Sequence, residues 1–475
     1  MAQDSAPARG MLATMAVVVV CSGVVQGYLT PLLPRVGEHV GLSGVGQNNL
    51  YLLAQLAFAV MTPLLSRLGD LYGHRRLLRI SVAMVAAGSV LMAVRPTAVT
   101  LAVGMNLQGA VVGFFPLLAG ILRTRAPRQA RTGMSMLVAA LLMAVGTGSL
   151  VAGSLSERHA VAGLWTAVPV SILALAAAMV LPDSTAPRGG RFHFGAAALL
   201  TAGLVALVLV LTQGGTWGWS SPAALLTAAL AVVLLALWVR VEHRSAQPLV
   251  KVRLLHNRRL ALVNTHTFCA AFGAVGFMGT NAVFLGTDPH EAGYGMHLGA
   301  RSIATVSFAM VLTGCLGSAL TPRLARALGD RTVLAAAGIL CAAGFTTMVL
   351  GHRALFPYVC GVLVVGLATG LFEAATRTLS AEVVAEDETA VSVGLNELAL
   401  SLGAAIGAAV IGALLAGHRT TGPDGVIALA GYQWSWGACA VAALLGAVAG
   451  LAFPGRAALG PLPASRPLTP SGEAL

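Results

Sequence analysis

Charge is scarce in this chain. Of its 475 residues only 10% are charged, 17 acids against 29 basic residues, and Lys251 is the one lysine. Soluble domains hold about 25% charged and about 45–50% apolar residues. Here the apolar set reaches 57% before 56 glycines are added. A soluble core of this length cannot hide that much apolar surface, which excludes a water-soluble enzyme and a disordered chain and makes lipid the expected solvent. Cysteines are few, six in all, each inside an apolar run and none in a CxxC pair. That pattern argues against a disulfide framework or a zinc site. The segment Thr287-Asp288-Pro289-His290-Glu291 with His297 lacks HExxH spacing and reads as a turn, so no metal is expected. Long basic tracts and interleaved aromatics are also missing, and the net charge of +12 does not point to nucleic acid. No nucleophile triad, phosphate loop or cofactor fingerprint stands out, so neither an enzyme nor a cofactor is expected.

Long apolar runs are abundant. A helix that crosses a bilayer needs about 20 mostly apolar residues, because hydrocarbon offers the backbone no water. Such runs lie near residues 11–33, 49–66, 77–94, 97–122, 132–155, 163–181, 194–212, 222–241, 260–285, 302–321, 333–351, 356–376, 390–416 and 431–453. The first is too long for a signal-peptide core and many like it follow. Trp165, Trp217, Trp219, Trp238 and Trp434 fall near run ends, where an interfacial aromatic belt would put them. If connections alternate sides, twenty-three of the 29 basic residues fall on the side of the N-terminus. Basic residues mark the cytoplasmic side, so a multi-pass plasma-membrane protein with both termini cytoplasmic is expected.

The chain also repeats. Arg67, Leu68, Asp70, Gly73 and Arg75 are matched 256 positions later by Arg323, Leu324, Arg326, Gly329 and Arg331, four of the five being identical. Two halves in the same orientation are a known transporter construction. The expected fold is an all-α membrane protein of 14 transmembrane helices. Residues 1–181 would form one six-helix bundle, 182–259 an inserted helix pair, 260–453 a second six-helix bundle, and 454–475 a disordered cytoplasmic tail rich in Pro, Ala and Ser.

Several segments carry a resemblance. Ser66 to Arg76 resembles the cytoplasmic motif G-x-L-a-D-r-x-G-r-r, with Ser66 in the first glycine's place. Gln108-Gly109-Ala110 resembles a fourth-helix motif. The stretch holding Ala144, Gly148, Ser149, Ala152 and Gly153 is similar to the antiporter motif G-x-x-x-G-P-x-x-G-G, with Ala for two glycines and Ser for the proline. Residues 213–219 and 239–244 resemble the flanks of an inserted pair, and Gly394-Leu395-Asn396 with Gly403 and Gly407 resembles a penultimate helix. The chain thus resembles the major facilitator superfamily, and within it the fourteen-helix drug:proton antiporters. That resemblance implies a secondary transporter that exports lipophilic small molecules by alternating access. It also implies a conformational latch built on Asp70, with Gly73, Arg75, Arg76 and Arg67 in the same motif. Asp70 would dock at the start of a helix of the other half near Ala390, where the helix dipole favours an anion by about 0.3–1 kcal/mol. The plainer reading is an ion pair inside an arginine-rich connection. Gly73 suits a tight turn with positive φ.

The family's intramembrane charges are missing from their expected places: Val25, Met105 and Leu400 stand there. Coupling to protons needs a group that changes its protonation state. The candidates are Glu397, about 10 Å into its helix at 1.5 Å per residue; His266; and Glu373, which lies four residues before Arg377 and can pair with it on one helix face. A buried acid without a partner is a functional candidate, which favours Glu397. Polar residues that could face a substrate cavity are Gln26, Gln55, Asn106, Gln108, Asn264 and Asn281, although an amide inside a bundle can equally bond a neighbouring helix. The acidic run Glu382, Glu386, Asp387, Glu388 is either a solvated connection or a partner for the arginines of the opposite half. The expected partners are a small-molecule substrate, the bilayer and, if coupling holds, protons; a monomer is expected. An uncoupled facilitator, or a non-transporting receptor or scaffold on the same fold, remain as alternatives, since fold does not fix function.

Overall fold

The computed structural model of the chain describes residues 5–155, 159–184, 192–245, 254, 256–418 and 427–455. The expected tail lies, from residue 456 onward, outside the described residues, as do Arg191, Lys251 and Arg253. The first half holds α1 (Ser5–His39), α2 (Gly44–Tyr72), α3 (His74–Val94), α4 (Ala98–Gln108), α5 (Phe114–Arg125), α6 (Ala130–Ser154) and α7 (Ala167–Val180). Next come α8 (Phe194–Trp217) and α9 (Pro222–Arg244). The second half holds α10 (Arg258–Ala274), α11 (Met278–Gly286), the short α12 (Pro289–Ala292), α13 (Ala300–Leu328), α14 (Asp330–Gly351), α15 (Leu355–Glu382), α16 (Thr389–Gly417) and α17 (Leu429–Ala452). Among the described residues, twelve helices are long and apolar enough to cross a membrane.

Local chemistry sets the boundaries. Thr97 opens α4 with a reciprocal capping box to Thr100, and Ser221 caps α9 directly before Pro222 at the first helical position. The Asn257 side chain accepts the N–H groups of Arg259 and Leu260 at the start of α10. Between α4 and α5 the chain tightens into a 3-10 stretch, Gly109–Gly113, in the middle of one apolar run. A side chain at Gly109 would meet Ala57 of α2 at 2.6 Å, so this crossing needs glycine.

The repeat seen in the sequence is also a repeat of backbone shape. Gly73 turns α2 into α3 with φ +101°, and Gly329 turns α13 into α14 with φ +88°. Each half packs its own core. One buried cluster draws mainly on residues 15–181, including Tyr28, Phe114 and Leu164, and another on residues 270–443, including Phe284, Phe345 and Trp436. The halves meet through two equivalent helix pairs, α2 against α16 and α6 against α13. Helix α8 lies beside α2 and α16, joined to them through Leu200, Leu204 and Val391. Helix α9 is more peripheral: Leu226 is 70% and Val232 68% exposed, surface that only hydrocarbon would cover without cost. Four of the five tryptophans expected at an interface are exposed, but Trp238 is buried and donates its indole N–H to Glu242 at 3.2 Å. Being on one helix four residues apart, the two satisfy each other away from water.

Candidate functional site

The contacts that join the halves gather at the arginine-rich end. Asp70 sits on the last turn of α2, its side chain 1% exposed. One carboxylate oxygen accepts the backbone N–H of Val391 at 3.0 Å, and the other is 2.8 Å from His74 Nε2. Val391 lies in the first turn of α16, where N–H groups have no partner within their own helix. Burial pushes the Asp70 carboxyl above its ordinary value, and His74 and the N–H groups of Val391 and Ala390 pull it back. Beside it, Gly394 of α16 packs on Ser66 so closely that a Cβ there would overlap the Ser66 hydroxyl.

Arg75 of the same motif bonds within its own half. Arg75 reaches Asp183 at 3.2 Å and the Met179 carbonyl at 2.8 Å, at the end of α7. Arg76 is exposed and Arg67 is half-buried. Two further arginines of the first half, Arg123 and Arg131, reach across to the second. Arg123, at the end of α5, donates to the carbonyls of Ala381, Val384 (2.6 Å) and Ala385 (3.3 Å), and to Thr389 Oγ1 (2.9 Å). It thereby caps the C-terminal end of α15, where a cation is favoured. Arg131 grips Asp330 at 2.9 and 3.1 Å and Glu382 at 2.7 and 2.5 Å. Its side chain is 36% exposed, so water screens the pair. The sequence signal for Arg123 and Arg131 was the acidic run from Glu382, in its reading as a partner for arginines of the opposite half.

A second cluster lies inward of this seam. Arg377 binds Glu373 one turn earlier on α15 at 2.7 Å, and holds Glu397 of α16 through Nε at 2.5 Å and Nη2 at 3.2 Å. The three side chains are 4%, 8% and 15% exposed. The guanidinium carbon stands 5.0 Å from the centre of the Phe115 ring, which belongs to the other half. Glu397 therefore departs from the expectation of an unpartnered acid: the helix crossing brings it to an arginine twenty residues earlier in the chain. Two carboxylates share one guanidinium, so the cluster carries one more negative than positive charge when both acids are ionised. His266 is fully buried elsewhere in the second half, with Nδ1 2.8 Å from the Gly446 carbonyl and its ring edge-on to Phe372.

The amides divide. Gln26 is exposed and donates to Ser22 at 2.9 Å; Asn106 is half-buried and donates to the Ala102 carbonyl at 3.1 Å; Gln55 is half-buried. Gln108 is buried, donating to Tyr28 at 3.0 Å and Ser89 at 2.8 Å. Asn281 accepts the Tyr358 hydroxyl at 2.8 Å, and Asn264 accepts from Asn396 at 3.3 Å. Gln108, Asn264 and Asn281 thus bond within their own halves. On α6, Ala144, Gly148 and Ala152 are buried, while Ser149 and Gly153 are exposed. Val25 and Met105 are buried in the first core, and Leu400 is half-buried. A buried ring cluster, Phe284, Tyr294, Tyr358, Tyr432 and Trp436, has no signal in the sequence, because its members come from separate segments.

A sequence profile of the Major Facilitator Superfamily matches residues 15–408 and again 265–473. The chain is 27% identical over 380 residues to the probable actinorhodin transporter of Streptomyces coelicolor, covering 76% of this chain and 64% of that protein. It is 26% identical over 426 residues to the multidrug efflux pump LfrA of Mycolicibacterium smegmatis, covering 87% and 82%. To the tetracenomycin C resistance and export protein of Streptomyces glaucescens it is 26% identical, covering 78% and 68%. Its fold is similar to that of the human organic anion transporter MFSD10 (TM-score 0.66, 18% identity, 93% of this chain and 99% of that one).

Proposed function

The chain belongs to the major facilitator superfamily of transporters, and from that premise we propose that it exports lipophilic small molecules across the plasma membrane by alternating access. The observation that carries this reading is the seam at the arginine-rich end, where Asp70, Arg123 and Arg131 of one half meet Val391, residues 381–389 and Asp330 of the other. In this reading that end is cytoplasmic, as are both termini, and its contacts latch it shut in an outward-facing state. Fourteen helices cross the bilayer: the twelve already counted, α2, and the pair α10–α11, which a break at Val275–Phe277 divides. Helices α8 and α9 are the inserted pair, between six-helix bundles that close at 181 and resume at 260. The protein works as a monomer.

The substrate class rests on relatives named for actinorhodin, tetracenomycin C and multidrug export, and on a chain with few intramembrane charges. Gln26 and Asn106, which keep polar atoms free of the buried networks, are the amides best suited to line the cavity. Protons drive export through the cluster of Glu373, Arg377 and Glu397; moving one charge through 100 mV supplies about 2.3 kcal/mol. His266, bonded to a backbone carbonyl and packed on Phe372, is the weaker candidate.

The test is a compound-accumulation screen in a pump-deleted host that expresses the chain, with and without an uncoupler. Lower accumulation that the uncoupler abolishes is the expected result. Lower accumulation that survives the uncoupler would favour a second reading, an uncoupled facilitator, for which apolar Val25, Met105 and Leu400 speak. No change for any lipophilic compound would refute export.

A further inference from the structure

We propose that a cavity at the arginine-rich end of the second half binds the headgroup of an anionic phospholipid. The cavity, about 420 Å³, is lined by Arg258 and Arg259 at the start of α10, Arg331 at the start of α14, and the chain at the end of α17, including Leu451 and Phe453. No acid lines it. Arg258 and Arg331 are exposed and make no hydrogen bond or ion pair among the described residues. Asp330, next to Arg331, is engaged by Arg131 of the other half.

Cations in the first turn of a helix lie against the positive end of its dipole. Here two helix starts bring Arg258 and Arg331 to one hollow that Arg259 also lines, an arrangement that an anion relieves: guanidinium forks and helix N-termini both favour a phosphate oxygen. The apolar side of the site decides between a phosphodiester on a lipid and a free phosphate. Val441, Leu444, Leu445, Val448 and Leu451 form an exposed aliphatic stripe along α17, each 47% exposed or more, and the stripe ends at the cavity. It offers acyl chains a track that leads their headgroup to the arginines, as basic pockets between helices do at membrane surfaces. Because Arg331 follows Asp330, a bound headgroup steadies the start of α14 beside the bridge to Arg131 and so favours the closed seam. The inference rests on the reading that this end lies at a membrane surface, but binding is measured without transport, so either idea can fail alone.

The experiment uses the full chain in nanodiscs of phosphatidylcholine with and without phosphatidylglycerol. Retained lipid is read by native mass spectrometry after detergent extraction. Removing two surface arginines is expected to weaken phosphatidylglycerol retention about thirtyfold in R258Q/R331Q. R258K/R331K keeps most of the retention, and so does R128Q/R323Q, which removes two exposed arginines from the same end. Equal loss in R128Q/R323Q would reduce the effect to general surface charge and overturn the site. So would unchanged retention in R258Q/R331Q. Displacement of the lipid by millimolar inorganic phosphate alone would assign the cavity to a soluble anion and overturn the lipid assignment.

Discussion

Gly394→Ala tests the seam by adding a single methyl group. A Cβ at this position would overlap the Ser66 hydroxyl and lie 2.8 Å from the Ser66 Cβ, with the next atom, the Thr62 carbonyl oxygen, at 3.7 Å. Both obstructing atoms belong to one side chain of the opposite half, so the strain exists only while the arginine-rich end is closed. Overpacking of this kind costs about 1–3 kcal/mol, which shifts the ratio of closed to open protein about five- to 150-fold toward open. The gain in helix propensity from Gly to Ala acts on both states alike and cancels. The assay is the alkylation rate of Ala390→Cys, at a fully buried position beside the Asp70 contact, in protein whose six free cysteines are replaced. Gly394→Ala should speed alkylation by the factor given. Adding Ser66→Gly removes the obstruction and should bring the rate back to near its starting value. A rate untouched by Gly394→Ala, or a double variant no slower than the single one, would refute the claim that this contact seals the end.

Asp70→Lys sets a cation against the start of α16 and should speed the same alkylation about tenfold or more; an unchanged rate would remove Asp70 from the latch. Arg377→Met leaves Glu373 and Glu397 buried without a counter-charge, so thermal unfolding should show a loss of about 3–5 kcal/mol, and adding Glu373→Gln and Glu397→Gln should recover most of it. Glu397→Gln should abolish transport driven by a pH gradient in vesicles while substrate exchange without a gradient continues; gradient-driven transport at the original rate would clear Glu397 of coupling.

What the sequence made legible was whatever composition and spacing control. Apolar length located the helices, and the offset of 256 pointed to two turns that share a positive φ at Gly73 and Gly329. The approach of Asp70 to the start of α16 was expected from the motif, and the two meet at Val391. Contacts between distant segments were less visible. Arg123 and Arg131 looked like any other basic residues in a connection, because their roles depend on where the end of α15 and the start of α14 arrive in space. Glu397 looked unpartnered because its arginine lies on another helix and the match needs the α15–α16 crossing angle. Trp238 looked interfacial by position, but the packing of α8 against α9 and α16 buries it. The five-ring cluster of the second half depends on the same kind of assembly.

The claim at the centre of this account is that the two ends of the bundle open in turn. Spin labels at Arg128 and Arg323, exposed on opposite halves at the arginine-rich end, and at Val99 and Phe356, exposed on opposite halves elsewhere in the bundle at helix starts facing away from that end, measure both openings in the same protein. Opening in turn means reciprocal change: when Gly394→Ala lengthens the first distance, the second shortens. Distances that move in the same direction, or a first distance that never changes, would contradict it.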